Sequence, residues 1–102
     1  MIAIANAPCS WGALEFDVGE PVGWERMLDE MAATGYAGTE FGDWGLLPTD
    51  PEALRDALGA RELELVGAYL PAALWDPACE APAIAAARRV ARLLAAVSRT
   101  QP

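Results

Sequence analysis

Apolar positions alternate between two spacings along this chain. Ile2 to Ala7 is a short apolar stretch running into Asn6-Ala7-Pro8, the pattern of a strand buried on both faces. Trp24, Met27, Leu28 and Met31 then recur at helical spacing, with Glu25, Arg26, Asp29 and Glu30 between them as a solvated face. Gly35 stands just beyond as a C-terminal stop. Tyr36 to Phe41 predicts a second short strand, ended by Gly42-Asp43. Thr49-Asp50-Pro51-Glu52 opens the next helix in one of two ways. Either Thr49 and Glu52 form a capping box, or Asp50 is the N-cap with Pro51 in the first helical position. Leu54, Ala57 and Leu58 make its stripe, and Leu63 to Leu70 reads as a third strand closed by Pro71. From about Ala83 to Ser98, Ile84, Ala87, Val90, Ala91, Leu94 and Val97 predict a third helix.

Strands alternating with helices imply parallel βαβ units joined by right-handed crossovers, here in the order βαβαβα. The fold class is therefore α/β, with residues 1–102 forming one partial domain. At about 34 residues per unit, eight such units would total about 272, near the roughly 250 typical of a (β/α)8 TIM barrel. A three-stranded parallel sheet has two open edges, so the chain is expected either to be the N-terminal, incomplete part of a barrel or to self-associate through those edges.

Charge narrows the partners. Fifteen acids against seven basic residues, all arginine, leave a formal net charge of −8. Such a surface repels phosphate backbones, so no nucleic-acid partner is expected. No membrane partner is expected either, because Arg88, Arg89 and Arg92 interrupt the most apolar late segment. The first residues carry no basic n-region, and the expected location is cytoplasmic. Cys9 and Cys79 match no metal or disulfide spacing and are expected to be free, buried thiols. No histidine is present, and GxGxxG, P-loop, GxSxG and HExxH patterns are all absent, so nucleotide-fold, triad and histidine-centred metal chemistry lack support.

In a barrel of this kind the chemistry sits in the loops that follow the strands. Trp11, Trp44 and Trp75 fall in those loops, with Asp43 and Asp76 beside two of them, and Asn6 and Glu40 end the first two strands. Indole faces next to carboxylate and amide groups suit a sugar or polyol ring, which offers C–H faces for stacking and hydroxyls for hydrogen bonds. The tryptophans would serve equally as plugs of the barrel mouth, and Asn6 equally as a turn cap. Glu40 favours a site role over an ion pair with an arginine, because a carboxylate ending a weakly polar strand is costly to bury without a purpose. Catalytic residues are not identified.

Asn6-Ala7-Pro8-Cys9-Ser10-Trp11-Gly12, Gly35-Tyr36-Ala37-Gly38-Thr39-Glu40-Phe41-Gly42 and Leu63-Glu64-Leu65-Val66-Gly67-Ala68-Tyr69 together resemble the sugar phosphate isomerase/epimerase family of xylose isomerase-like TIM barrels, closest to its inosose dehydratase branch. The resemblance spans Ile2 to about Val97. It implies an enzyme of carbohydrate metabolism that isomerises or epimerises a sugar by proton transfer next to a carbonyl, with dehydration of a cyclitol as the alternative. It also implies a divalent metal (Mn, Co or Mg) whose ligands, acids and a histidine on later strands, are not in this chain. Asn6, Trp11, Glu40, Tyr69 and Trp75 would line the substrate side, none of them as a metal ligand.

On this reading the 102-residue chain alone is inactive. A non-catalytic remnant or assembly module stands as an alternative, and the family's DNA-cleaving branch is disfavoured by the net charge and the missing histidines. The family commonly has glycine where Glu62 stands, which predicts local strain there. Ala95 to Pro102 runs out where a fourth strand is due, as truncation, a frameshift or a fragmentary gene model would each produce.

Overall fold

The computed structural model describes residues 2–12 and 23–99. Three strands, β1 (Ala5–Asn6), β2 (Gly38–Glu40) and β3 (Glu64–Gly67), form a parallel sheet in the order β1-β2-β3. They alternate with α1 (Trp24–Thr34), α2 (Pro51–Gly59) and α3 (Glu80–Val97). Met27, Leu28 and Met31 of α1, Leu54 and Leu58 of α2, and Leu93 and Val97 of α3 share one core with Phe41, Leu47, Leu63 and Leu65. One face of the sheet thus carries the helices. On the other, Val66 is exposed. The residues from 100 to 102, where the approach to a fourth strand is expected, lie outside the described residues.

Helices α1 and α2 end in the same motif built from different residues. At the end of α1, Gly35 N–H donates to the Ala32 carbonyl (3.1 Å) and Tyr36 N–H to that of Met31 (3.3 Å), with Gly35 left-handed at φ 96°. At the end of α2, Glu62 N–H donates to the Gly59 carbonyl (3.2 Å) and Leu63 N–H to that of Leu58 (3.0 Å), with Glu62 at φ 55°. Both are Schellman closures, and the residue after each turn joins the core that holds the helix's last buried side chain: Leu63 lies within it and Tyr36 packs against it. Glycine adopts this conformation freely, whereas a glutamate's Cβ crowds its own carbonyl. Glu62→Gly is therefore expected to raise stability by about 1 kcal/mol, after the extra entropy glycine gives the unfolded chain is subtracted. Urea denaturation checks this: an unchanged or lower midpoint would mean that Glu62 is not strained.

At its start α2 follows the second of the two expected schemes, with the Asp50 carboxylate accepting from Ala53 N–H (2.9 Å) and Pro51 in the first turn. Three other expectations need correction. The stretch Ile2 to Ala7 is not buried on both faces: the strand contracts to Ala5–Asn6, and Ile2 and Ile4 are 88% and 62% exposed. As an edge strand β1 has a hydrogen-bonded neighbour on one side only, and apolar character produces burial only where another layer is present. Helix α3 begins at Glu80, before Ala83, tolerating Pro82 in a first turn whose N–H groups have no intrahelical acceptor anyway. Its seam is Val90, Leu93 and Val97, while Ile84 and Ala91 are exposed. Finally, Cys9 and Cys79 are free, but Cys9 is exposed in the turn after the edge strand and Cys79 only half-buried.

Candidate functional site

Parallel strands bring their C-terminal ends to one rim. Asn6 lies opposite Thr39, and Glu40 lies opposite Gly67 across a register shift between Thr39 and Glu40. Phe41 N–H donates to the Gly67 carbonyl (2.7 Å) and Tyr69 N–H to that of Gly42 (3.3 Å), which carries the chain after β3 alongside the chain after β2. Asn6, Glu40 and Tyr69 therefore share this rim. Thr39, fully buried, donates its hydroxyl to the Glu40 carbonyl (2.9 Å) and so steadies the end of β2.

Glu40 is the rim's unassigned charge. Its side chain is half-buried, and among the described residues none donates a hydrogen bond to its carboxylate and no arginine pairs with it. Gly67 leaves space beside it, since a Cβ built there would meet only the Glu40 Cγ, at 3.9 Å. Asn6 is already engaged. Its Oδ1 accepts from Ala7 N–H (2.7 Å) and from the Ser10 hydroxyl (2.8 Å), which ties it to the short 3-10 turn Pro8–Trp11.

The tryptophans of these loops have surroundings of their own. Trp11 turns toward α1, where its indole N–H donates to Glu30 (2.8 Å) and its ring meets Tyr36 edge-on at 6.3 Å. Arg26 and then Trp11, both donating to the Glu30 carboxylate, hold its pKa below the ordinary glutamate range. Trp44 lies tilted against Phe41, with ring centroids 5.8 Å apart, and carries the Arg89 guanidinium 4.0 Å above it. Trp75 is 85% exposed in the turn after β3, while the neighbouring Asp76 caps the 3-10 turn Pro77–Cys79 through Ala78 N–H (3.0 Å).

Two partnerships escape a sequence reading that assigns Glu30 and Asp29 to a merely solvated face: Trp11 with Glu30, and Arg61 with Asp29 at 2.6 Å. Their members lie 19 and 32 residues apart, and no local periodicity signals contacts of that range. Among the described residues no group of three or more acidic or cysteine side chains is placed to hold a metal ion. Among the described residues no helix is long and apolar enough to cross a membrane.

The chain is similar to curated inosose dehydratases. It is 35% identical over 74 residues to that of Lacticaseibacillus casei and 32% identical over 74 residues to that of Clostridium perfringens, in each case 72% of this chain and 24% of the relative. Against the inosose dehydratase of Salmonella typhimurium the identity is 33% over 69 residues, 67% of this chain and 22% of the relative. The matched region thus spans about a quarter of each relative's length. No family model and no solved structure matches the chain.

Proposed function

We propose that this chain supplies the opening three strand–helix units of a (β/α)8 barrel that acts on a sugar or cyclitol ketone, with the rim at Asn6, Glu40 and Tyr69 forming part of the substrate wall. The observation that carries the reading is Glu40: a half-buried carboxylate at the C-terminal end of the central strand, without a protein partner among the described residues. A hydroxyl-rich ring provides the donors such a carboxylate lacks. The similarity to inosose dehydratases supports the same substrate class and favours dehydration over isomerisation or epimerisation. All three reactions begin by removing a proton next to a carbonyl, so they place the same demand on the pocket: a ring held in one orientation while the proton moves. Glu40 would orient the ring through its hydroxyls. Trp11 and Trp75 reach a ligand in this arrangement only if the loops that carry them close over the rim.

A chimera tests this directly, with this chain replacing the matched quarter of the Lacticaseibacillus casei enzyme. The expected result is loss of water from inosose, with Glu40→Gln lowering kcat/KM at least about tenfold, the loss of one charged hydrogen bond to substrate. Conversion of a ketohexose in place of inosose would reassign the reaction to isomerisation. A folded chimera inactive on both would overturn the proposal, and an unaffected E40Q would remove Glu40 from the site.

A further inference from the structure

Outside the strand rim, a groove of about 390 Å³ lies between the start of α2 and the middle of α3, lined by Trp44, Thr49, Pro51, Arg89, Arg92 and Leu93 among others. We propose that it binds the phosphate group of a small molecule, a site independent of the function assigned to the rim. Charge is the first argument. Among the described residues no acid lines this groove, although two of the chain's seven cations, Arg89 and Arg92, do. Two other grooves of similar size are different: one sets Glu64 against Arg55 and Arg99, and the other holds Asp76 and Glu80 with no cation.

The arginines themselves are the second. Arg26, Arg61 and Arg99 are spent on ion pairs with Glu30, Asp29 and Glu64. Arg89 and Arg92 form no ion pair among the described residues, and their spacing places both on one face of α3, where like charges repel. An anion between them would relieve that repulsion.

Geometry is the third. The Arg89 guanidinium stacks on the Trp44 indole at 4.0 Å, which uses the flat face of the group and leaves its in-plane N–H donors turned outward. Stacking also orders the side chain in advance, lowering the entropy cost of capturing a ligand. A phosphate has enough oxygens and charge to engage two guanidinium forks together, as a single carboxylate does less well. The groove's volume suits a small ligand, and the net charge of −8 opposes a polyanion such as nucleic acid.

The test is calorimetric titration of the purified chain with inorganic phosphate, glucose 6-phosphate, glucose and acetate, at ionic strength held constant with chloride. Saturable binding of inorganic phosphate or glucose 6-phosphate, with glucose and acetate at least tenfold weaker, is the expected result. Tighter binding of glucose 6-phosphate identifies a phosphate ester as the ligand, and equal binding identifies free phosphate. R89Q/R92Q should weaken binding at least tenfold. R88Q, which removes the same charge from the same helix outside the groove, should leave it unchanged. If the double variant fails to fold, R89K serves in its place: it keeps the charge, loses the stacked fork and should still bind more weakly. No saturation, equal binding of acetate, or equal losses in R88Q and R89Q/R92Q would each overturn the assignment.

Discussion

Truncating Phe41 to alanine is expected to lower stability by about 4 kcal/mol, a large share of the roughly 5–15 kcal/mol that holds a small domain together. Phe41 is 1% exposed and sits just after β2, where side chains of α1, α2 and β3 meet in the core. Its N–H donates to Gly67 whatever the side chain, so the variant keeps the backbone ladder and loses only the ring. That loss has two parts: the transfer free energy of the aromatic surface, and a cavity the packed neighbours cannot fill. Trp44 also loses the ring it leans on, and with it Arg89 loses its platform. Urea denaturation should show a lower midpoint with an unchanged slope. A cost below about 1 kcal/mol would mean that this core repacks freely, contrary to close packing around Phe41.

Much of this architecture is legible in the order of residues because it rests on local signals. The face of α1 follows from the spacing of Met27, Leu28 and Met31, its end from Gly35, and the start of α2 from Asp50-Pro51. What failed depended on layers rather than on segments. The composition of Ile2 to Ala7 suits a central strand, but centrality is a property of the neighbours, and β1 has only β2. Leu63 to Leu70 reads as one strand, yet pairing ends at Gly67, beside the register shift, and Leu70 is exposed. Glu62 was legible as a strained position because its cost is paid within its own residue, and its φ of 55° bears that out.

The same division runs through the candidate site. Glu40 stands out because a carboxylate at a strand end needs no distant partner to be conspicuous. Trp11 and Trp44 stand out just as much, but where their rings go is decided by Glu30, Tyr36 and Arg89, residues far along the chain. An indole after a strand is thus a weak pointer to a binding wall, since a partner elsewhere in the fold can draw it away.

Gly38→Ala is the second change expected to be severe, at about 3 kcal/mol, although it adds a single methyl group. In most positions this substitution stabilises slightly, by reducing the freedom of the unfolded chain. At Gly38 the added Cβ would lie 2.6 Å from the Glu64 carbonyl oxygen and 3.0 Å from the Val66 Cγ1 on the neighbouring strand. A rotating side chain can relieve the second contact. The first involves the backbone of β3, fixed by the ladder in which Glu64 N–H donates to the Ala37 carbonyl at 3.0 Å, so relief requires the central and edge strands to separate.

Separation would also move Glu40, two residues further along β2, relative to the rim it shares with Gly67 and Tyr69. The double variant G38A/V66A distinguishes the two contacts by thermal unfolding. If the carbonyl is the obstacle, the double variant stays as unstable as G38A. Recovery to near the parent's stability would place the conflict in the Val66 side chain instead. Gly67→Ala, whose Cβ meets Glu40 at an ordinary 3.9 Å, is the control and should cost little. A glycine required by the approach of two strands is thereby separated from one that merely ends a strand.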